Sequence, residues 1–419
     1  MDAPPTAAAT HVAEWMLEAA LGTTTAANAF AGMAERLRHQ GVQIDRAHLA
    51  YTTLHPLNRG AGATWTSQSG LEVEDYSYDR DQNAAGWFES PIHYVIVNRI
   101  ERLRRRLAGP GAMIDFPVLE SFANDGLTDY ILFAQPFDSF YAPVDVEGLP
   151  DRPATAGMSC SFATARPHGF MDEELETLAW LIKPLAMMVK MADQRQVAMN
   201  LADCYIGHEA GPRVLGGEIR RGDFDSTPAV VWMSDLRAST EMSMNMPRDE
   251  FIATINDFFD CTAGAVEQEG GEPLTFMGDG ALAIFPIEKL GEAGARRAAF
   301  AAAERATKAL SDLNLDRKAK GRAQIRWGIA LHAGVLEYGN IGSLTRHSWS
   351  AIGPVVNETA RLEGMTKEVG EPIVASRNFV DGMDGNWRSM GQFALKGVPG
   401  EFEVLAPPLD LKILEETAA

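Results

Sequence analysis

The sequence predicts an α+β fold with separate N-terminal and C-terminal domains. Its 419 residues are enough for two or three domains, each with its own core. With 46% hydrophobic and 22% charged residues, the composition is that of an ordinary globular protein. Apolar residues recur with helical spacing in some segments and in strand-like runs in others, which indicates both element types along the chain.

The first domain is predicted over 11–171 as a small α+β module. It opens with helical spacing of apolar residues, from Val12 and Met16 to Phe30 and Leu37. Strand-like runs follow, among them 131–133 and 159–163. Four arginines, at positions 102, 104, 105 and 106, are predicted to lie on the solvated face of a short helix.

A connecting helix is predicted over 172–203. Six apolar residues fall on one seam at alternating spacings of three and four: Leu175, Leu178, Ile182, Leu185, Val189 and Ala192. Two interpretations stay open: the seam pairs with a second copy as a parallel coiled coil, or it packs on its own domain. Pro184 lies inside the pattern and is expected to kink the helix. The glycine-rich segment 204–227 is predicted to form turns and to act as a transducer element.

The C-terminal domain, 228–408, has a clear order of elements. A short strand at 229–234 delivers Asp235, and a helix follows Pro247 and stops at Gly270. Strands at 274–277 and 281–285 flank the Gly278-Asp279-Gly280 turn. An alanine-rich helix at about 292–312 and a strand at 325–331 complete a β-α-β-β-α-β series. This order predicts a ferredoxin-like core.

Charge and cysteine content exclude several classes of partner. The net charge of −20 repels phosphate backbones and anionic lipid headgroups, so we expect no nucleic acid and no membrane partner. No apolar run reaches the length needed to cross a bilayer, and the N-terminus has no basic leader. Cys160, Cys204 and Cys261 fit neither a disulfide framework nor a zinc site. We therefore expect a cytoplasmic protein.

Two aspartates occupy special positions in the predicted core. Asp235 ends the first strand, and Asp279 lies in the turn between the next two. Because this topology places those strands side by side, both carboxylates are expected at one edge. Paired carboxylates suit Mg²⁺ or Mn²⁺ together with substrate phosphates. Taken alone, Asp279 has another explanation, because Asp-Gly is a common sequence in ordinary hairpin turns.

The surrounding motifs form an ordered series over about 228–406. They are Met233-Ser-Asp-Leu-Arg-Ala-Ser-Thr240, Phe276-Met-Gly-Asp-Gly-Ala-Leu-Ala-Ile-Phe285, Gly328-Ile-Ala-Leu-His-Ala-Gly334, Gly339-Asn-Ile-Gly342 and Ile352-Gly-Pro-Val-Val-Asn-Glu-Thr-Ala-Arg-Leu362. The series resembles the catalytic domain of class III nucleotidyl cyclases, the adenylate and guanylate cyclase family.

The resemblance implies a two-metal site for Mg²⁺ or Mn²⁺. Asp235 and Asp279 match the family's metal aspartates, and the main-chain carbonyl of Leu236 is a further expected ligand. In that chemistry the ribose 3'-oxygen attacks the α-phosphorus of ATP, and pyrophosphate leaves as cyclic AMP forms.

The resemblance also implies a second set of residues, supplied by a partner chain. Asn357 matches a residue that orients the ribose, and Arg361 one that neutralises charge on the α-phosphate. Lys396 matches a lysine that contacts the terminal phosphates. The metal aspartates and the Asn/Arg pair of the family face each other across a subunit boundary, so a head-to-tail homodimer is expected.

The sequence departs from the family at the base pocket and after the first aspartate. Thr275 and Ser350 stand where base-reading residues are expected, and a hydroxyl suits adenine or guanine. Ala238 and Ser239 replace a common Gly-Phe pair. The threonine-like Ser350 and the commonness of adenylate cyclases among similar sequences favour ATP, so we expect an adenylate cyclase. Two alternatives stay open: a guanylate cyclase acting on GTP, or a catalytically silent nucleotide-sensing pseudocyclase.

The N-terminal domain weakly resembles GAF-like sensory modules. Its middle contains Trp65, Tyr76, Tyr78 and Trp87, which indicate either a ligand site or an ordinary core. An unknown small-molecule or protein signal is the expected partner. His55 and His93 are isolated and are expected to be structural.

Overall fold

The computed structural model describes residues 4–78, 84–137 and 156–408, which include two compact units. The first unit is Met1–Leu201 and the second is Ala202–Ala419. The division falls near the C-terminal end of a long helix, Asp172–Ile206.

The first unit contains six strands and six helices among its described residues. In chain order they are α1 (Ala7–Ala20), α2 (Ala26–His39), β1 (Arg46–Thr52), β2 (Asn58–Thr66), β3 (Gly70–Ser77), α3 (Ala84–Phe88), α4 (Pro91–Asn98), β4 (Arg102–Arg106), α5 (Pro117–Asn124), β5 (Asp129–Pro136), β6 (Gly157–Thr164) and α6 (Asp172–Ile206). The strands form one antiparallel sheet in the order β3-β2-β1-β6-β5-β4. The predicted strands at 131–133 and 159–163 are confirmed as parts of β5 and β6.

Apolar clusters cover one face of the sheet and part of the other. Alternate residues of β1 and β6, such as Leu49 and Phe162, pack with α1, α2 and α6 in the larger cluster. A smaller cluster joins α4 and α5 to β4 and β5 through residues that include Leu119 and Leu132.

The arginine-rich stretch is a strand, so the predicted short helix is wrong. In β4, Leu103 is buried while Arg104 forms an ion pair of 2.6 Å with the buried carboxylate of Asp129. Arg105 forms another, of 2.7 Å, with Asp115. Pairing with β5 and these carboxylates stabilise an extended conformation that local propensity does not signal.

The connecting helix buries its apolar seam within its own unit. Leu175, Leu178, Ile182, Leu185 and Val189 belong to the larger core cluster of the first unit. Packing on its own domain, one of the two interpretations, therefore describes this seam. The helix continues through Pro184 and ends at Ile206.

The second unit has the predicted β-α-β-β-α-β core with additional elements. They are α7 (Ala210–Leu215), β7 (Phe224–Leu236), α8 (Ser239–Asn245), α9 (Arg248–Gln268), β8 (Glu272–Met277), β9 (Gly280–Pro286), α10 (Ile287–Leu290), α11 (Glu292–Ala319), β10 (Trp327–Gly342), β11 (His347–Ile352), α12 (Pro354–Val369), β12 (Ile373–Ser376), α13 (Arg377–Val380), β13 (Arg388–Phe393) and β14 (Phe402–Ala406). The core strands lie in the order β10-β7-β9-β8, extended beyond β10 by β12, β14 and β13. This confirms the predicted ferredoxin-like order.

Several elements differ from the prediction in extent. The segment 204–227 contains the end of α6, the helix α7 and the start of β7, rather than turns alone. Strand β7 has 13 residues because its first half pairs with the long strand β10, and α8 follows it directly. Within the described residues, no helix is both long and apolar enough to cross a membrane.

Candidate active site

The two aspartates lie side by side at the edge of the sheet where β7 ends and β9 begins. In the antiparallel β7–β9 pairing, Asp235 is opposite Gly280, the residue after Asp279. The main-chain N–H of Leu236 donates a hydrogen bond of 3.1 Å to the carbonyl oxygen of Asp279. Gly278, with φ of 67°, makes the hairpin turn that presents Asp279. The two aspartates are therefore neighbours at one edge of the sheet, as expected.

The environment of Asp235 disfavours its negative charge. Burial and then the charge of Asp279 raise the pKa of Asp235, while Lys367 and Arg237 oppose the shift. Two carboxylates that repel each other in a half-buried setting form a site that a cation would stabilise.

Three charged residues beside the aspartates are absent from the sequence prediction. Arg237 Nη2 lies 2.8 Å from Glu363 Oε1 in a largely buried ion pair, and Arg237 Nη1 lies 3.9 Å from Asp235 Oδ2. Burial raises the pKa of Glu363, and the charge of Arg237 opposes this. Glu363 and Lys367 are four residues apart on α12. This spacing places two residues on the same face of a helix, so the sequence could have indicated that they lie together.

A glycine on β10 makes room for this ion pair. Gly328 is opposite Asp235 in the β7–β10 pairing. A Cβ atom at Gly328 would overlap with the guanidinium of Arg237, the carboxylate of Glu363 and the hydroxyl of Thr366. The ion pair thus depends on the absence of a side chain at 328.

The turn after the first aspartate is strained. Ala238 has φ of 60° and ψ of 26°, a left-handed conformation that alanine rarely adopts. Ala238 therefore has a backbone conformation that is typical of glycine.

Helix α12 carries Asn357 and Arg361 one turn apart, both exposed to solvent. Its position against β10 is fixed by Glu358, whose Oε2 is 3.0 Å from Nε2 of the buried His332. The Nδ1 atom of His332 is 2.6 Å from Ser376 Oγ, and burial lowers the pKa of this histidine. The two exposed residues thus project from a firmly anchored helix.

The remaining predicted residues lie on other edges of the unit. Thr275 is exposed on β8 and pairs with Leu282 of β9. Ser350 lies on β11, which contacts β8, and its hydroxyl donates a hydrogen bond of 3.1 Å to Ser348 Oγ. Lys396 is exposed in the connection between β13 and β14.

A single chain does not complete the predicted constellation. The charges of Asp279, Lys367 and Arg237 act on Asp235. Among the described residues Arg361 forms no ion pair with Asp235 or Asp279. The described residues include no cluster of three or more His, Cys, Asp or Glu side chains arranged for a metal. The aspartate pair offers oxygen ligands for Mg²⁺ or Mn²⁺, with other positions left for water or phosphate oxygens.

Comparison with known proteins agrees with the motif series. No protein-family model matches the chain. Over 150 residues, 35% of this chain, it is 31% identical to an adenylate cyclase of Anabaena cylindrica, covering 29% of that protein. Over 146 residues it is 30% identical to adenylate cyclase 1 of Rhizobium meliloti strain 1021, covering 34% of this chain and 21% of that protein. Part of this chain is similar to adenylate cyclases.

The chain therefore spans less than a third of the length of these two relatives. Among solved structures, the adenylyl cyclase CyaB from P. aeruginosa aligns with 45% of this chain and 97% of its own, at 22% identity and a TM-score of 0.41.

Proposed function

We propose that this protein is a nucleotidyl cyclase that converts ATP to 3',5'-cyclic AMP and pyrophosphate. The observation that carries the proposal is the placement of Asp235 beside Asp279, with Asn357 and Arg361 presented separately on α12. The aspartate pair and the Asn357/Arg361 pair correspond to the two sets of residues that the cyclase reaction requires. We further propose that the GAF-like N-terminal unit regulates this activity.

The aspartate pair would hold two Mg²⁺ or Mn²⁺ ions, with the Leu236 carbonyl as an additional ligand. When bound, such ions activate the ribose 3'-hydroxyl and neutralise the triphosphate. The protein's part is to hold two carboxylates together against their repulsion, which the β7–β9 pairing and the Leu236–Asp279 hydrogen bond do.

The residues of α12 would act on the reacting sugar and phosphate. The Asn357 amide would hydrogen-bond the ribose, and the Arg361 guanidinium would neutralise charge that develops on the α-phosphate. Neither side chain has a hydrogen bond or ion pair with another described residue, so both are free to bind a substrate. Lys396 would contact the terminal phosphates.

Activity then requires a homodimer. Among the described residues Arg361 forms no ion pair with either aspartate of its own chain, and we infer that a second chain supplies it. A twofold, head-to-tail pair of catalytic units would contain two equivalent sites, each built from both chains.

ATP is the favoured substrate because both named relatives are adenylate cyclases. The hydroxyls of Thr275 and Ser350 suit either purine, so a guanylate cyclase is the alternative within this chemistry. The strained turn at Ala238 favours a further alternative, a nucleotide-binding protein that does not cyclise.

The test is a product assay on the full chain with each of the four nucleoside triphosphates and Mn²⁺. We expect cyclic AMP from ATP, no product from Asp279→Ala, and wild-type product from Asp384→Ala, which removes an exposed aspartate outside the site. Cyclic GMP alone would establish the guanylate alternative. Nucleotide binding without a cyclic product would establish the pseudocyclase.

A further inference from the structure

The first unit contains a cavity of about 960 Å³ that the proposed cyclase chemistry does not use. One wall is the sheet, with residues of β1, β2, β5 and β6. The opposite wall is formed by α4 and α5, with Ile92, Val95 and Phe122. Its volume is at the upper end of the range of small-molecule sites, roughly 300–1,000 Å³.

The sheet presents a polar face to this cavity. Arg46 and His48 alternate along β1, and Ser161 of β6 is opposite His48. The other face of the same two strands is apolar and belongs to the large core cluster. Because buried core positions are normally apolar, polar residues beneath covering helices indicate a surface shaped for a polar ligand.

Arg46 is the main charge inside the cavity. The residue is half-buried, and its Cζ atom lies 4.8 Å from the centre of the Phe122 ring. Burial lowers the pKa of Arg46, and Tyr130 and then Glu74, both at the cavity, oppose the shift. Among the described residues it has no hydrogen bond or ion pair. A partly desolvated cation without a directly bound counter-ion is unfavourable, and a ligand anion would reduce that cost.

The acidic residues that line the cavity are largely exposed to solvent. Burial lowers the pKa of His48 to about 4, so this ring is neutral at pH 7. Glu89 and Glu101 line the cavity but are exposed. Glu74 is also more than half exposed and lies 4.0 Å from His48.

A second arginine is held in an unusual conformation at the same cavity. Arg99 follows α4 with φ of 55° and ψ of 42°, a left-handed conformation that favours glycine. It lines the cavity, as does Arg59, and neither has an ion pair with another described residue. Strained residues of this kind concentrate at ligand sites.

We propose that this cavity binds a small organic anion with an aromatic body. The anionic group, a carboxylate or a phosphate ester, is held by Arg46, and the ring lies against Phe122 and the apolar residues of α4. This site goes beyond the proposed function, because it lies in the other unit and its occupancy is measurable without catalysis.

The experiment compares two fluorescent probes that differ in charge. These are 8-anilinonaphthalene-1-sulfonate and its neutral analogue N-phenyl-1-naphthylamine, each titrated into the full chain. In Arg46→Gln we expect the affinity for the sulfonate to fall at least tenfold and that for the neutral probe to change less than threefold. Arg46→Lys keeps the positive charge, so we expect it to lose less affinity for the sulfonate than Arg46→Gln does. The control Arg102→Gln removes an exposed arginine of the same unit outside the cavity and is expected to leave both affinities unchanged.

A second variant guards against a folding defect in Arg46→Gln. Arg99→Gly removes a cavity cation at a position where the backbone favours glycine, and we expect a loss of sulfonate affinity of threefold or more without loss of thermal stability. Competition with benzoate and phenyl phosphate distinguishes the two kinds of anion, and neutral benzamide is not expected to compete. Unchanged sulfonate affinity in both folded arginine variants, or competition by benzamide equal to that of the anions, would overturn the proposal.

Discussion

The main-chain N–H of Leu236 donates a 3.1 Å hydrogen bond to the carbonyl oxygen of Asp279. This bond joins the end of β7 to the hairpin turn that precedes β9. It fixes the backbone beside both candidate metal ligands, because Asp235 immediately precedes Leu236. Main-chain geometry therefore holds the two aspartates close together despite the repulsion between their carboxylates.

Replacement of Asp279 by Asn is expected to separate stability from function. Removal of one of the two like charges should stabilise the metal-free protein by a fraction of a kcal/mol up to about 1 kcal/mol, since the site is partly screened by solvent. Mn²⁺ should raise the melting temperature of the wild-type chain but not of Asp279→Asn. Urea unfolding without metal and thermal melting with Mn²⁺ measure the two effects, with Asp384→Asn as control. An unchanged Mn²⁺ response in Asp279→Asn would exclude this residue as a ligand.

Ala238→Gly is expected to stabilise the protein. The left-handed conformation destabilises the folded protein by about 1–2 kcal/mol when the residue is alanine. Glycine removes this strain but opposes folding by about 0.5–1 kcal/mol, because it gives the unfolded chain more conformational entropy. The net gain should be about 0.5–1 kcal/mol in urea unfolding. The matched control is Ala253→Gly, at an exposed helical position of α9, which should lose about 1 kcal/mol. Equal losses in the two variants would contradict the strained turn.

Gly328→Ala is expected to disrupt the charged cluster beside the aspartates. The new methyl group would displace the Arg237–Glu363 ion pair, at a cost of roughly 1–3 kcal/mol. Gly264→Ala is the control, because its Cβ would meet no atom within 4 Å in the helix α9, and it should stabilise by about 1 kcal/mol. Denaturant unfolding measures both, and a neutral Gly328→Ala would show that the ion pair has room to move.

Glu272 is expected to make stability fall as pH rises. Its carboxylate accepts a hydrogen bond of 3.2 Å from the N–H of Glu209, and burial raises its pKa to about 7 from an ordinary value of 4.5. Between these two values the folded protein keeps a proton that the unfolded chain releases, so the free energy of unfolding decreases, by at most about 3 kcal/mol.

The measurement is urea unfolding of Glu272→Gln against wild type from pH 5 to 8. The variant should lose this pH dependence and should be more stable than wild type at pH 8. Glu288→Gln, at an exposed glutamate, should follow the wild-type profile. Parallel profiles for wild type and Glu272→Gln would show that Glu272 titrates normally.

The core of the second unit was predictable because its signals are local. Alternating apolar residues, Pro247 before α9 and the Gly278-Asp279-Gly280 turn each specify their own element, and the order of elements then places Asp235 near Asp279. The strand β4 was not predictable, since its conformation depends on Asp129 and Asp115, which are distant in sequence.

The charged cluster around the aspartates was missed for a related reason. The cluster combines the residue after β7, Arg237, with two residues of α12, Glu363 and Lys367, which meet only when α12 packs near β7. Nothing in the sequence around Gly328 indicates that this glycine makes room for them. The seam of α6 left two interpretations open because heptad-like spacing is the same whether the helix packs on a second copy or on its own domain.

Complementation between two inactive chains tests most directly whether each site is shared. Asp235→Ala and Arg361→Ala chains are co-expressed, and the rate of cyclic product is compared with that of each variant alone. Random pairing makes half of the dimers mixed, and each mixed dimer has one intact site, so we expect about a quarter of the wild-type rate. Inactive mixtures of two folded, dimerising variants would contradict a catalytic site assembled from both chains.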